Sequence, residues 1–263
     1  MKNVIGNLMF FLFTLTSNFI LAQSIEDIPP KLKHTIEKSI QYKNPILIGE
    51  YFIRRPYKAN RLSPSNPEKI YFSFSDFDCV TYVENILALY FSGGSTDKFI
   101  DNLIKIRYND SISYENRNHY LTSGLDKLVQ MNFLIPINNS TNSKSIQKNI
   151  CFISQNTTSN QIDLLKLKKI EATISRKFFY YFDSIQKSNF INGLKNGDVI
   201  AFVATRNDLD FKHVGFVYIK NNKKYILHAS QEKKIVCISD LTIDEYLLKN
   251  RKIKGFQIYR PTI

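Results

Sequence analysis

The sequence predicts an α+β fold in which a cysteine-bearing helix packs on an antiparallel sheet, with further helices added. Two observations carry this. Cys79, Tyr82, Val83, Ile86, Leu87 and Tyr90 recur at steps of three and four, the spacing of one helical face. After Leu194 the pattern changes to apolar runs of strand length, two of them flanking Asn221-Asn222, an Asn-rich turn suited to a hairpin. Helices first and strands later point to an antiparallel sheet rather than a βαβ repeat.

The chain opens with Lys2 as its only charge before Glu26, an apolar run from Leu8 to Leu15, and Leu21-Ala22-Gln23. This is the layout of a secretory signal peptide over 1–22, cleaved after Ala22. Thr14, Thr16, Ser17 and Asn18 interrupt the apolar run, which argues against an uncleaved membrane anchor. Residues 23–263 are then expected to form one exported catalytic domain, periplasmic or secreted, with a helical elaboration at about 95–193.

Within it, Asp27 to Tyr42 reads as a helix, with Pro29 and Pro30 in its first turn and Asn44-Pro45 as its stop. A proline-containing loop follows to Phe74. The Cys79 helix ends at Gly93-Gly94, and Ser95 caps the next helix. Another helix is expected from Leu121 to Val129, an exposed loop from Asn138 to Lys148, and helical spacing from Ile162 to Ile185. Strands are expected at Val199–Val203, His213–Lys220, Lys223–Ser230, Ile235–Ile238 and Gly255–Tyr259, with a short helix over Leu241–Lys249.

The formal net charge is +13, or +12 once Lys2 is removed. Basic residues crowd Arg54, Arg55, Lys58 and Arg61 and recur at Lys166, Lys168, Lys169, Arg176 and Lys177. Such charge keeps a surface solvated or draws in anionic partners. No nucleic-acid-binding motif accompanies it, so nucleic acid is not expected as a partner. The cysteines are Cys79, Cys151 and Cys237, and an odd count leaves at least one unpaired within the chain. Pairing of Cys151 with Cys237 is open. No zinc-ligand spacing occurs, so neither metal nor cofactor is expected.

Cys79 has two readings. Free cysteine often fills an apolar stripe. At a helix start, however, the dipole favours a thiolate and lowers the thiol pKa. The histidines bear on the choice. If Asn221-Asn222 is a two-residue loop, Lys220 faces Lys223, and His213, Gly215, His228 and Ser230 project from one face. His213 and His228 are then diagonal neighbours. A cysteine with two convergent histidines fits nucleophile, base and orienter: Cys79 attacks, His213 carries the proton, and His228 holds His213 in its tautomer. The backbone N–H of Cys79 is the candidate oxyanion donor. One surface histidine and one hydrogen-bonded core histidine is the alternative.

Asp78-Cys79-Val80-Thr81-Tyr82-Val83, Gly197-Asp198-Val199-Ile200, His213-Val214-Gly215-Phe216 and Leu227-His228-Ala229-Ser230 resemble, in order and setting, the NlpC-type papain-like cell-wall cysteine hydrolases. Val80-Thr81 depart from the Ser-Gly pair common there. Together with Arg117-Asn118-His119-Tyr120, the run through Glu84 is similar instead to an N-acetylmuramoyl-L-alanine amidase-like branch. The resemblance implies an exported enzyme cutting the amide between N-acetylmuramic acid and L-alanine, with peptidoglycan fragments (muropeptides) as partners. A γ-D-glutamyl-diamino acid endopeptidase and a catalytically silent wall-binding module are the alternatives. Arg117, His119, Tyr82 and Ser230 are candidate substrate-binding residues. A monomer with no membrane anchor after cleavage is expected.

Overall fold

The protein was analysed as a computed structural model that describes residues 27–63, 65, 67–137, 144–151, 173–180, 191 and 193–262. The expected signal peptide and most of the stretch from Ser154 to Ile185 lie outside the described residues. The described elements are mixed α+β. Helices α1 (Pro30–Gln41), α2 (Ile46–Tyr51), α3 (Cys79–Ser92), α4 (Thr96–Arg107) and α5 (Leu121–Gln130) come first. Strands β1 (Leu134–Pro136), β2 (Lys144–Cys151), β3 (Thr173–Tyr180), β4 (Val199–Ala204), β5 (Phe211–Lys220), β6 (Lys223–Ser230) and β7 (Ile235–Ile238) follow. Helix α6 (Ile243–Lys249) and strand β8 (Ile253–Pro261) close the order.

Six strands form an antiparallel sheet in the order β1-β8-β4-β5-β6-β7, and β2 and β3 pair separately. β4 lies inside the sheet and is buried at every position. Its side chains alternate between two cores. Val199, Ala201 and Val203 join the core on the α3 side, while Ile200 and Phe202 meet Ile243 and Leu247 of α6 on the other.

Helix α3 is apolar almost all round, as a helix enclosed on every side must be. It packs on β5, β6 and α4. Of the polar side chains it buries, the charged one, Glu84, is paired with Arg107 of α4, Nε to Oε2 at 2.7 Å. Arg107 also donates to the Tyr71 carbonyl. Ser95 caps α4 by accepting from the Lys98 N–H, as expected.

The sequence expectation fails at three places. A short helix, α2, occupies part of the stretch read as loop. Lys144–Cys151 is a strand, not the end of an exposed loop, and Lys148 sends its ammonium to the carbonyls of Ala204, Arg206 and Leu209. Thr173–Tyr180, given helical spacing above, is the strand it pairs with. The elaboration at 95–193 therefore contains β1, β2 and β3 as well as helices. Pairing with a distant strand overrides local spacing in such segments.

Removing one partner of a buried ion pair leaves the other charge unpaired, at a cost of about 3–5 kcal/mol. Arg107→Met is therefore expected to lower unfolding free energy by that order in urea titration. The double variant with Glu84→Gln should recover a large part of the loss. Equal stability of wild type and Arg107→Met would show that the pair contributes nothing.

Candidate active site

The hairpin fixes the histidines. Asn221 and Asn222 both adopt left-handed backbone (φ 50° and 61°), as a two-residue hairpin turn requires, and Lys220 pairs with Lys223. The register holds to Phe216–Leu227, where the β5–β6 ladder ends. Beyond it β5 stays with β4, and β6 stays with β7. His213, opposite Phe202 of β4, and His228, opposite Cys237 of β7, both lie in this opened stretch. Their rings still meet, with His213 Nε2 to His228 Nδ1 at 2.5 Å. Gly215 permits the approach. A Cβ there would stand 2.7 Å from Ile226 Cγ2, 2.9 Å from the Leu227 carbonyl oxygen and 3.0 Å from His228 Cβ.

Cys79 is the first residue of α3. Asp78 is the N-cap, accepting from the Thr81 N–H and hydroxyl at 2.8 Å each, while Thr81 Oγ1 accepts from the Asp78 N–H at 3.0 Å. Thr81 thus completes a reciprocal capping box. The backbone N–H of Val214, the residue after His213, lies close enough to Cys79 to favour its thiolate. In the hairpin register that N–H would have faced Ala229 of β6, but the β5–β6 ladder ends before that position.

A strap holds the same corner. The segment Arg54–Lys58 bonds to β7 on one side, through Arg54 N–H to Val236 O, Val236 N–H to Arg55 O and Tyr57 N–H to Lys234 O. On the other side it bonds to Phe77, through Phe77 N–H to Pro56 O and Lys58 N–H to Phe77 O. β5, β6, β7, the strap and the residues that lead into α3 are therefore joined in sequence by backbone hydrogen bonds.

Tyr57 and Tyr246 are the neighbours that sequence reading missed. Tyr57 lay in a stretch without periodicity, and Tyr246 in a short helix whose spacing says nothing about what it faces. A charge on Cys79 opposes ionisation of both phenols, which burial already pushes up to about 12. The Tyr246 ring sits 6.2 Å from His213 and 6.5 Å from His228, and Phe202 stacks on the other ring neighbour, His213, at 6.2 Å.

Of the candidate substrate-binding residues, Tyr82 is fully buried and donates its hydroxyl to the Gly49 carbonyl at 3.0 Å, a core role. Ser230 Oγ accepts from the Lys233 N–H at 3.1 Å and closes the β6–β7 turn. Arg117 is buried with all three guanidinium nitrogens engaged on Glu68 and the Leu62 carbonyl. His119 packs edge-on to Tyr114 at 4.9 Å. Tyr82, Ser230 and Arg117 thus all have hydrogen-bond partners within the protein. Cys237 is a free thiol, so it is not joined to Cys151.

A family model described as AmiA-like, N-acetylmuramoyl-L-alanine amidase-like, matches residues 47–256. The chain belongs to that amidase-like family. The span runs from α2 through β8 and includes Cys79, the strap and both histidines. An N-acetylmuramoyl-L-alanine amidase from Bacteroides uniformis, solved at 1.15 Å, is 26% identical with TM-score 0.71, covering 89% of this chain and 100% of its own. A putative xylanase from Bacteroides fragilis (24% identical, TM-score 0.71, 81% and 98% covered) shares the fold. So does a Legionella pneumophila protein of the DUF1460 family model (20%, 0.70, 89% and 93%). No curated protein matches the chain.

In this amidase-like chain the electrostatics reverse one expectation. Burial, and then the Asp78 carboxylate, push the Cys79 thiol up to about 12, outweighing the N–H groups of Val214, Cys79 and Val80 that favour the thiolate. Burial, then His228 and Lys212, hold His213 well below its ordinary value. Burial, then Lys233, bring His228 down to about 4. These directions favour a thiol and neutral imidazoles over a preformed ion pair.

A histidine held neutral binds its proton more weakly folded than unfolded. His228 therefore supports folding fully above the unfolded pKa of about 6.5, and that contribution is lost as pH falls towards 4, by about 3 kcal/mol in all. Urea unfolding at pH 7 and pH 4 should show a smaller drop in His228→Gln than in wild type. An identical drop would mean that His228 is not held neutral. Gly215→Ala should lower Tm by several degrees and separate the two rings, visible as a changed histidine pattern in NMR.

Proposed function

We propose that this chain is an exported N-acetylmuramoyl-L-alanine amidase that works by cysteine catalysis on a papain-like, NlpC-type core. The observation that carries the reading is the 2.5 Å contact of His213 Nε2 with His228 Nδ1, on strands packed against the helix that Cys79 begins. Family membership and the Bacteroides uniformis amidase support the bond assigned to it. The leader-like 1–22 segment motivates a periplasmic or secreted location.

In the catalytic tautomer His213 donates Nε2–H to His228 Nδ1, which leaves His213 Nδ1 as an acceptor for the thiol proton. Cys79 Sγ attacks the lactyl carbonyl carbon as that proton moves to His213. The carbonyl oxygen becomes an oxyanion, placed to accept from the Cys79 backbone N–H. Collapse breaks the C–N bond, and His213 returns the proton to the departing amine of L-alanine. A muramoyl thioester remains on Cys79. Water, deprotonated by His213, hydrolyses it to the free acid and restores the thiol. His228 holds the imidazole through both proton transfers and stabilises the imidazolium formed between them.

Mass spectrometry of digested muropeptides tests the bond. Free disaccharide and an intact stem peptide are expected from wild type, and no products above background from Cys79→Ala. A shortened stem peptide as the main product would assign the γ-D-glutamyl endopeptidase activity instead. Binding without cleavage by the wild type would leave a wall-binding module.

The pH profile tests the resting state. Activity requires neutral His213, so it is present above that residue's depressed pKa and lost as pH falls through it. The acid limb of kcat/KM is expected well below pH 6.5. A limb at or above that value would show an imidazole with ordinary or raised proton affinity, as in a preformed ion pair.

A further inference from the structure

The strap that closes the site also carries unpartnered positive charge. Pro56 bridges Ile235, which sets Arg55 opposite Val236 and Tyr57 opposite Lys234. Side chains alternate along an extended segment, so Arg55 shares a face with Tyr57, two residues on. Lys234 is the cross-strand neighbour of Tyr57, a separation of about 5 Å between Cβ atoms. Tyr57 packs against the α3-side core and lies within electrostatic reach of Cys79. Arg55 and Lys234 are therefore the basic neighbours of Tyr57, one along the strap and one across it.

Of the other cations of this corner, Lys58 and Arg61 share Asp76, and Lys233 pairs with Asp240 at 2.5 Å. Arg55 and Lys234 are exposed, and among the described residues neither has an ion-pair partner. Lys234 is also held in left-handed backbone (φ 61°) while its carbonyl accepts the Tyr57 N–H. That conformation costs of order 1 kcal/mol for a residue with a Cβ. The nearby Asp78 carboxylate is committed to Thr81 and the Arg61 N–H, which limits its repulsion of an incoming anion.

We propose that Arg55 and Lys234 form a subsite for a carboxylate of the substrate's peptide, beside Cys79. The arginine supplies a planar fork for the two oxygens and the lysine a point charge. The inference rests on the muropeptide reading and adds to it a preference for stem peptides with free carboxyl groups over amidated ones.

Binding to full-length Cys79→Ala protein tests this without turnover. Calorimetry would compare a muropeptide bearing free stem-peptide carboxylates with the same molecule amidated, at low and high salt. About tenfold tighter binding of the acid form at low salt is expected, narrowing as salt screens the pair. Adding Arg55→Gln and Lys234→Gln should abolish the preference and leave affinity for the amidated form unchanged. Equal affinity for the two forms, a preference that survives the double substitution, or no binding of either would overturn the subsite. Acid-selective binding by a wild-type protein that cleaves nothing would instead sink the amidase reading and leave the subsite standing.

Discussion

Strands β5 and β6 leave the two-residue turn in register and stay paired to Phe216–Leu227, then separate. The rest of the site depends on that separation. It leaves the Val214 N–H near the Cys79 thiol, where it favours the thiolate, and it makes the room in which His213 and His228 meet. A ladder continued to Ser230 would pair Val214 with Ala229 instead. Gly215 is needed at the fork because any side chain there would collide with β6. The strap then joins β7 to Phe77, so that the opened edge closes again through the start of α3.

Burial decides the protonation states. The helix start favours a thiolate, yet the cap that makes the helix start is itself an aspartate, and its charge works against the thiolate next to it. Half-burial of Cys79 and His213 and burial of His228 disfavour their charged forms. A neutral thiol and neutral imidazoles are the favoured forms. In the proposed reaction, charge separates only when His213 gains the proton, with His228 already bonded to it. Arg55 and Lys234 are exposed.

Much of this was legible in the sequence because it rests on local spacing. The α3 stripe, its Gly93-Gly94 stop, the Ser95 cap and the Asn-Asn hairpin register all follow from neighbours within a few residues. Register arithmetic alone put His213 beside His228. What stayed hidden depends on distant partners. The strap has no periodicity of its own and exists because β7 and Phe77 both offer it hydrogen bonds. Lys144–Cys151 and Thr173–Tyr180 are strands because they find each other. Arg117 looked like a ligand-binding arginine, but Glu68, far back in the chain, occupies it. The direction of the Cys79 shift was misread because burial cannot be seen in a helix-start motif.

The central claim is that Cys79 carries the substrate covalently. Wild-type protein mixed with a muropeptide, acid-quenched within the first turnovers and mapped by peptide mass spectrometry, tests it most directly. A muramoyl acyl group on the peptide containing Cys79, absent from Cys79→Ala, is the predicted result. An acyl group on another residue, or amide cleavage that continues unchanged in Cys79→Ala, would contradict it.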